Sequence, residues 1–138
     1  MLNDEMRKLL IEAALEARQW AYVPYSGYAV GAALLAASGK VYSGANVENA
    51  AYPTTMCAER VAVFNAVSQG ERNFQAIVVA TANGGSPCGS CRQVLAEFGL
   101  ETLVLTVDEH GQLTLEASLA ELLPGAFRPE HLVANETE

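Results

Sequence analysis

The protein has 138 residues, 51% of them hydrophobic and 17% charged, which suits one globular domain over residues 1–138 with a sizeable core. Eight Lys and Arg against sixteen Asp and Glu give a net charge of −8, which argues against a nucleic acid polymer as partner because such binding relies on neutralising phosphates. The apolar runs fall short of the ~18 residues of a membrane helix and the first residues lack an export signal, so we expect a cytoplasmic protein that contacts no membrane.

The periodicity of apolar residues and the turn residues predict the elements in chain order. The first half predicts a helix over Leu2–Trp20, strands over Tyr28–Ala36 and Val41–Ala45, and a helix from just after Thr55 to Ser68. The second half predicts a strand over Ala76–Ala82, a helix between Ser86 and Gly99, strands over Leu103–Val107 and Gln112–Leu115, and a helix over Ser118–Leu123. An antiparallel hairpin followed by crossover units predicts an α/β fold with a mixed five-stranded sheet and helices on both faces.

Three helix details are specific enough to test. The apolar positions of the first helix include Leu9 and Trp20. The second helix is apolar nearly all round, which is typical of a buried helix. Ser86 is expected to cap the third helix and Pro87 to occupy its first position. The polar residues 134–138 are expected to form a disordered tail.

Three cysteines carry the chemical signal. Cys57 is expected in the first turn of the second helix, and Cys88 with Cys91 in the first turn of the third. Both helices follow strands, so their N-termini can open at one end of the sheet, where the helix dipoles favour thiolates. Three thiolates suit a tetrahedral zinc ion whose fourth position is left for water, as in catalytic sites, and zinc lowers the pKa of bound water to about 7.

Two residues beside Cys57 fit such a site. Glu59 points away from the direction of the Cys57 thiol but can lean over the open position and transfer protons. Arg60 can donate hydrogen bonds to the ligand sulfurs and so offset their excess negative charge. The alternatives are a first-turn glutamate favoured by the helix dipole and an ordinary surface arginine.

The sequence around the cysteines resembles a known family. Cys57-Ala58-Glu59-Arg60 and Pro87-Cys88-Gly89-Ser90-Cys91-Arg92-Gln93 closely resemble the small homotetrameric, zinc-dependent cytidine deaminases of nucleoside salvage, as does the segment Asn46-Val47-Glu48-Asn49-Ala50-Ala51-Tyr52-Pro53. The resemblance covers nearly the whole chain. It implies a three-layer α/β/α fold and hydrolytic deamination of cytidine and 2′-deoxycytidine to the uridine products with release of ammonia.

The resemblance also implies residue roles. The three cysteines would hold one zinc ion per chain, and Glu59 would transfer protons. Asn46 and Glu48 would bind the ribose hydroxyls, and the backbone of Ala58 would help to read the base edge. Tyr28 would pack on the pyrimidine ring, at a place where the family commonly has phenylalanine; its hydroxyl needs a hydrogen-bond partner or a water molecule.

Three further residues would act between subunits if the resemblance holds. Ala50, Tyr52 and Phe127 would reach or close over the site of a neighbouring subunit. Catalysis would then require the homotetramer.

Other interpretations of the cysteines remain open. They could be buried core thiols, or a redox pair with a third, unrelated cysteine. They could form a closed structural zinc site with His110 or His131 as the fourth ligand, in a protein that binds and does not catalyse. A deaminase of another cytosine-containing molecule, such as blasticidin S, is the alternative enzyme; the pair Asn46 and Glu48 argues for a free ribose.

Overall fold

The computed structural model describes residues 2–133. Its helices are α1 (Asp4–Arg18), α2 (Ala58–Ser68), α3 (Gly89–Ala96), α4 (Leu119–Leu122) and α5 (Pro129–Val133), and a 3₁₀ turn covers Tyr52–Thr54. Its strands are β1 (Gly31–Ala36), β2 (Val41–Ala45), β3 (Phe74–Ala80), β4 (Leu103–Val107) and β5 (Leu113–Ser118). The tail expected at residues 134–138 lies outside the described residues. Among the helices of the described part, none is long and apolar enough to cross a bilayer.

The five strands form one sheet in the order β2-β1-β3-β4-β5. Strands β3 and β4 run parallel, and the other neighbours run antiparallel. Successive side chains of a strand point to opposite faces, so Ile77 packs with Val63 of α2 and Leu95 of α3, while Val78 packs with Leu10 of α1. The predicted mixed sheet between two helical layers is confirmed.

Two glycines allow helices to lie directly on the sheet. A Cβ atom at Gly31 of β1 would lie 2.1 Å from the Ala14 carbonyl oxygen of α1. A Cβ atom at Gly44 of β2 would lie 2.6 Å from the Ala62 nitrogen of α2. Because side chains would hold the backbones apart, these glycines set how closely α1 and α2 approach the sheet.

Helix α1 is shorter than predicted. Asn3 Oδ1 accepts a hydrogen bond of 2.7 Å from the Met6 nitrogen, so Asn3 is the N-cap and the helix begins at Asp4, not at Leu2. Leu9 is largely exposed and Trp20, beyond the end of the helix, is 74% exposed. The buried positions are Leu10 and Ala17, which belong to the predicted apolar face, and Ala14, which does not.

Helix α3 also begins later than predicted, because Ser86 and Pro87 accept hydrogen bonds from the Arg92 side chain. The Ser86 hydroxyl oxygen accepts from Arg92 Nη2 at 3.1 Å, and the Pro87 carbonyl accepts from Arg92 Nε at 2.9 Å. Cys88 is the N-cap, and its carbonyl accepts the Arg92 N–H at 3.1 Å. The predicted cap at Ser86 is wrong.

The remaining differences have local causes. Strand β1 begins at Gly31 and not at Tyr28 as predicted. The backbone before Gly31 bonds to a side chain and not to a neighbouring strand, because the Asn46 amide pairs with the Tyr28 carbonyl and the Val30 N–H. Helix α2 ends at Ser68 as predicted but is not buried all round, since Phe64 is 42% exposed. Strand β5 extends to Ser118, and α5 was not predicted.

Candidate active site

The structure brings the three cysteine sulfurs together. The Sγ atom of Cys88 lies 4.0 Å from Cys57 Sγ and 3.4 Å from Cys91 Sγ, and all three lie within 4.8 Å of one another. A tetrahedral zinc ion with Zn–S bonds of about 2.3 Å separates its sulfur ligands by about 3.8 Å. The spacing and the soft donors therefore fit zinc.

Two helix N-termini face this cluster. Cys57 is the N-cap of α2 and Cys88 the N-cap of α3, while Cys91 lies in the first turn of α3. Within residues 2–133 neither N-cap thiol hydrogen-bonds to the N–H groups of its own helix. The helix N-termini therefore lie at the cluster as predicted, while a direct effect of their partial positive charge on the thiols stays a prediction.

Charge within the cluster is distributed unequally. A hydrogen bond from the Cys91 thiol and the Arg60 guanidinium, whose Nη2 lies 3.2 Å from Cys57 Sγ, lower the pKa of Cys57 to about 5. The same hydrogen bond with Cys57, together with burial, raises the pKa of Cys91. Because zinc binds thiolates, metal loading must release protons from this cluster.

Arg60 is held at the cluster on one side only. Its Nη2 donates to Cys57, whereas its buried Nε has no hydrogen-bond partner among the described residues. The sulfur contact agrees with the predicted charge-offsetting role of Arg60.

Glu59 lies beside the thiols and is 5% exposed. Burial raises the pKa of its carboxyl group, and the negative charge of Cys57 adds to that effect. A carboxylate with a raised pKa accepts a proton more readily than an ordinary glutamate, which suits a general base that later acts as an acid. The preceding residue, Ala58, is fully buried at the start of α2.

A cavity of about 260 Å³ opens over this end of the sheet. Its lining combines residues of the cluster, residues before β1, residues after β2 and the loop after β3. The lining residues are Ser26, Tyr28, Val30, Asn46, Glu48, Thr55, Cys57, Ala58, Glu59, Val79, Thr81, Gly85, Ser86 and Cys88. The cavity thus joins the candidate metal ligands to the predicted substrate-binding residues.

Asn46 and Glu48 are both buried polar residues whose hydrogen-bonding capacity is only partly used within the protein. Asn46 Oδ1 accepts from the Val30 N–H at 3.0 Å, and its Nδ2 donates to the Tyr28 carbonyl at 2.9 Å. Glu48 Oε1 accepts the N–H groups of Tyr25 and Ser26 at 3.0 and 3.1 Å, and Oε2 accepts the Ser26 hydroxyl. One amide hydrogen of Asn46 and two oxygen lone pairs, one on Asn46 Oδ1 and one on Glu48 Oε2, are left for a ligand.

Main-chain hydrogen bonds connect the binding segment to the metal-binding segment. Val47 and Met56 exchange two N–H···O=C bonds of 3.0 and 2.9 Å. Tyr22 bonds on the other side, to the carbonyl of Asn46 and the N–H of Glu48, both at 2.9 Å. Asn46 and Glu48 are thereby fixed relative to Cys57, one residue after Met56.

The hydroxyl group of Tyr28 has a hydrogen-bond partner within the protein. Its Oη donates to Asn83 Oδ1 at 2.7 Å, and the ring borders the cavity while remaining 39% exposed. The hydroxyl is therefore directed into the loop after β3.

The residues predicted to act between subunits are exposed in the single chain. Tyr52 contacts Tyr25 edge-on, with ring centroids 5.3 Å apart, and the two rings border a second cavity next to Glu48. Phe127 packs on His131, and its carbonyl accepts from Gln93 Nε2 at 2.8 Å. The lining of the 260 Å³ cavity includes none of these three residues: Tyr52, Phe127 and the exposed Ala50.

The histidines lie apart from the thiol cluster. His110 faces Glu109 in an exposed turn, and His131 accepts a hydrogen bond from the Arg128 N–H. Over residues 2–133 no histidine joins the group of three cysteines. The alternative of a closed structural zinc site has no fourth ligand in this arrangement.

Several residues at the site had no role in the sequence interpretation. Ser26 holds Glu48, Thr81 and Asn83 shape the loop after β3, and Arg92 holds the turn before α3. The signal for Arg92 was its position directly after Cys91. Nothing in the local sequence connects Asn83 with Tyr28, 55 positions earlier.

Comparison with known proteins identifies the family of the chain. The family model described as the cytidine and deoxycytidylate deaminase zinc-binding region matches residues 4–107. A cytidine deaminase from Sporosarcina psychrophila is 51% identical over 93% of this chain and 95% of its own length, and one from Halalkalibacterium halodurans is 49% identical over 91% and 97%. The crystal structure of cytidine deaminase from Burkholderia pseudomallei superposes with a TM-score of 0.83 at 46% identity, covering 87% of this chain and 98% of that one. The chain therefore belongs to the family of zinc-binding cytidine and deoxycytidylate deaminases.

Proposed function

We propose that the protein hydrolyses cytidine and 2′-deoxycytidine to uridine and 2′-deoxyuridine, releasing ammonia, as a step of nucleoside salvage. The observation that carries the proposal is a cluster of three thiols beside a buried carboxyl group, of which Cys57, Cys88 and Glu59 line the same cavity as Asn46 and Glu48.

Cys57, Cys88 and Cys91 hold one zinc ion per chain in this proposal. The bound metal supplies Lewis acidity that activates water as a nucleophile at neutral pH. Arg60 donates to Cys57 and so draws negative charge from a ligand set that carries three thiolates.

Glu59 transfers the protons. Its carboxylate accepts a proton from the attacking water and delivers it to N3 of the pyrimidine as the oxygen adds to C4. It then moves the hydroxyl proton to the amino group, which leaves as ammonia while the C4 carbonyl of uridine forms. The raised pKa of Glu59, caused by its burial, keeps the group able to exchange protons through the cycle.

The other lining residues orient the substrate. Glu48 and Asn46 bind the ribose hydroxyls, the ring of Tyr28 packs on the pyrimidine, and the N–H of Ala58 contributes to recognition of the base edge. These contacts hold C4 in place, which lowers the barrier by orientation. A cytosine compound without free ribose hydroxyls, such as blasticidin S, would leave the remaining hydrogen-bonding capacity of Asn46 and Glu48 unused.

The working assembly is a cytoplasmic homotetramer. Tyr52 and Phe127 are exposed aromatic side chains, and Phe64 of α2 is another. In the assembly, Ala50, Tyr52 and Phe127 reach a neighbouring site or close over it. The net charge of −8 accords with a small neutral nucleoside and disfavours a nucleic acid polymer.

The experiment is ultraviolet monitoring of cytidine and deoxycytidine with the purified protein, before and after treatment with a chelator, alongside metal quantification and sedimentation. We expect turnover, one zinc per chain, loss of activity on chelation and recovery when zinc is returned. One zinc per chain with turnover of blasticidin S and none of cytidine would identify the alternative enzyme. Zinc without turnover of either compound would contradict the catalytic proposal, and an active monomer would contradict the tetramer requirement.

A further inference from the structure

We propose that Asn83 is a positioning residue: it holds the Tyr28 ring against the cavity through the Tyr28 hydroxyl, and Gly85 is small because that hydroxyl occupies the space of a side chain. This inference rests on the proposed function, since it assigns Asn83 and Gly85 to the placement of the ring that contacts the base.

Tyr28 is held at both ends. At the backbone end, its N–H donates to Ser26 Oγ at 3.0 Å and its carbonyl accepts from Asn46 Nδ2 at 2.9 Å. At the far end, its hydroxyl donates to Asn83 Oδ1 at 2.7 Å. Because the ring is 39% exposed and therefore only partly enclosed by neighbours, we infer that these polar contacts set its orientation.

The loop that carries Asn83 is itself well anchored. The Thr81 hydroxyl oxygen accepts the N–H groups of Gly84 and Gly85 at 2.7 and 2.9 Å, and it lies 3.4 Å from Asn83 Oδ1. The backbone of Asn83 also pairs with Asp108, at the end of β4. Asn83 therefore offers a fixed acceptor, and this loop leads directly to Cys88.

Gly85 completes the arrangement. A Cβ atom at Gly85 would lie 2.8 Å from Tyr28 Oη and 3.7 Å from Asn83 Oδ1, and the first distance is shorter than a normal contact. Gly85 is not one of the glycines with positive φ, so its backbone conformation admits alanine. Among the described residues, the Tyr28 hydroxyl is the obstacle to a side chain at this position.

The arrangement predicts that one substitution rescues another. Gly85→Ala pushes the Tyr28 ring out of place and raises KM for cytidine about fivefold, the lower end of the usual effect of overpacking because a side-chain tip can move. Asn83→Ala or Tyr28→Phe each raises KM about threefold, the range of one hydrogen bond. In all three, kcat changes less than KM because the reacting groups are untouched.

The combined variants separate this positioning role from a general loss of stability. Tyr28→Phe with Gly85→Ala returns KM to the value of Tyr28→Phe alone, and Tyr28→Phe with Asn83→Ala shows no further loss beyond either single variant. Asn83→Asp, which keeps an acceptor oxygen, retains the wild-type KM. Asn65→Ala, at an exposed position on α2, serves as the control.

Additive effects of Tyr28→Phe and Asn83→Ala would overturn the inference, as would an unchanged cost of Gly85→Ala in the Tyr28→Phe background. A readout independent of turnover is the NMR spectrum of the zinc-loaded protein. The Tyr28 ring and Asn83 side-chain amide signals should both shift in Gly85→Ala, and the amide signal should match that of Tyr28→Phe in the double variant. If cytidine is not turned over, the proposed function fails, while these spectra still decide the contact between Tyr28, Asn83 and Gly85.

Discussion

The starts of α2 and α3 both present thiols to the same cluster, but they are held in different ways. The start of α2 is held by main-chain bonds, since Met56 exchanges two N–H···O=C bonds with Val47. The start of α3 is held by one side chain: Arg92 donates to Ser86, to the Pro87 carbonyl and to the Leu122 carbonyl, the last at 2.7 Å. Main-chain hydrogen bonds persist when side chains are substituted, so the start of α2 should tolerate substitutions of its side chains. The start of α3 depends on the side chain of Arg92 and should not tolerate its loss.

The two helix starts also divide the chemistry. Helix α2 contributes the buried Glu59 and the lowered pKa of Cys57, while α3 contributes an exposed Cys88 and a buried Cys91. In the proposed mechanism, proton transfer belongs to the α2 side, and the α3 side contributes metal ligands only. Substitutions on the two sides should separate turnover from zinc affinity.

The largest effect is expected on the α2 side. Glu59→Gln removes the carboxyl group that we propose transfers protons, so kcat should fall at least about a hundredfold while the zinc content stays at the wild-type level. Glu97→Gln, an exposed residue next to the end of α3, is the matched control and should leave both unchanged. A Glu59→Gln enzyme that keeps more than about a hundredth of the wild-type rate would show that Glu59 has another role.

The second effect concerns the α3 side. Arg92→Ala removes two hydrogen bonds to the turn that leads to Cys88 and a third to Leu122 of α4, so zinc affinity should fall about 10- to 100-fold. Competition with a zinc indicator measures the change. Arg72→Ala, which also removes donors to two backbone carbonyls but lies away from the cavity, should retain the wild-type affinity. Equal losses in the two variants would mean that α3 is not held by Arg92.

A third, smaller effect concerns the lowered pKa of Cys57 at the start of α2. In the chelator-treated protein, alkylation of Cys57 should follow a pKa of about 5, with reactivity lost as the pH falls through that value. Arg60→Gln removes one of the groups that lower this pKa, so the midpoint should move to higher pH. Mass spectrometry of the Cys57 peptide gives the profile, and an unchanged midpoint would exclude the Arg60 contact as a cause.

The smallest effect lies in the binding segment. The Ser26 hydroxyl and the N–H groups of Ser26 and Tyr25 lower the pKa of Glu48, so its carboxylate stays ionised to lower pH than usual and binding is lost only as the pH falls through that lowered value. Ser26→Ala should raise the pKa of Glu48. KM should then rise more at about pH 5 than at about pH 8, relative to wild type. A pH-independent ratio of the two KM values would contradict this.

Elements that local patterns determine could be predicted from the sequence, whereas features that depend on contacts between distant side chains could not. Strand β4 was placed to the residue, because its apolar run ends at clear turn signals, and the meeting of the thiols followed from the order of strands and helices. The predicted start of α3 is wrong because the Arg92 side chain bonds to the Ser86 hydroxyl and the Pro87 carbonyl, a side-chain contact that the local capping pattern does not reveal. The contact of Tyr28 with Asn83 joins residues 55 positions apart, so no local pattern indicates it. Roles of individual binding residues came from the family resemblance, and they stay predictions.

The most direct test of this account is zinc-edge X-ray absorption of the zinc-loaded protein without substrate. It should give three sulfur ligands at about 2.3 Å and one oxygen at about 2.0 Å, and the oxygen should belong to solvent. Four sulfurs, or the multiple-scattering signature of an imidazole, would mean that the fourth position is closed by protein. That result would contradict a site whose cysteines leave one coordination position to water beside Glu59.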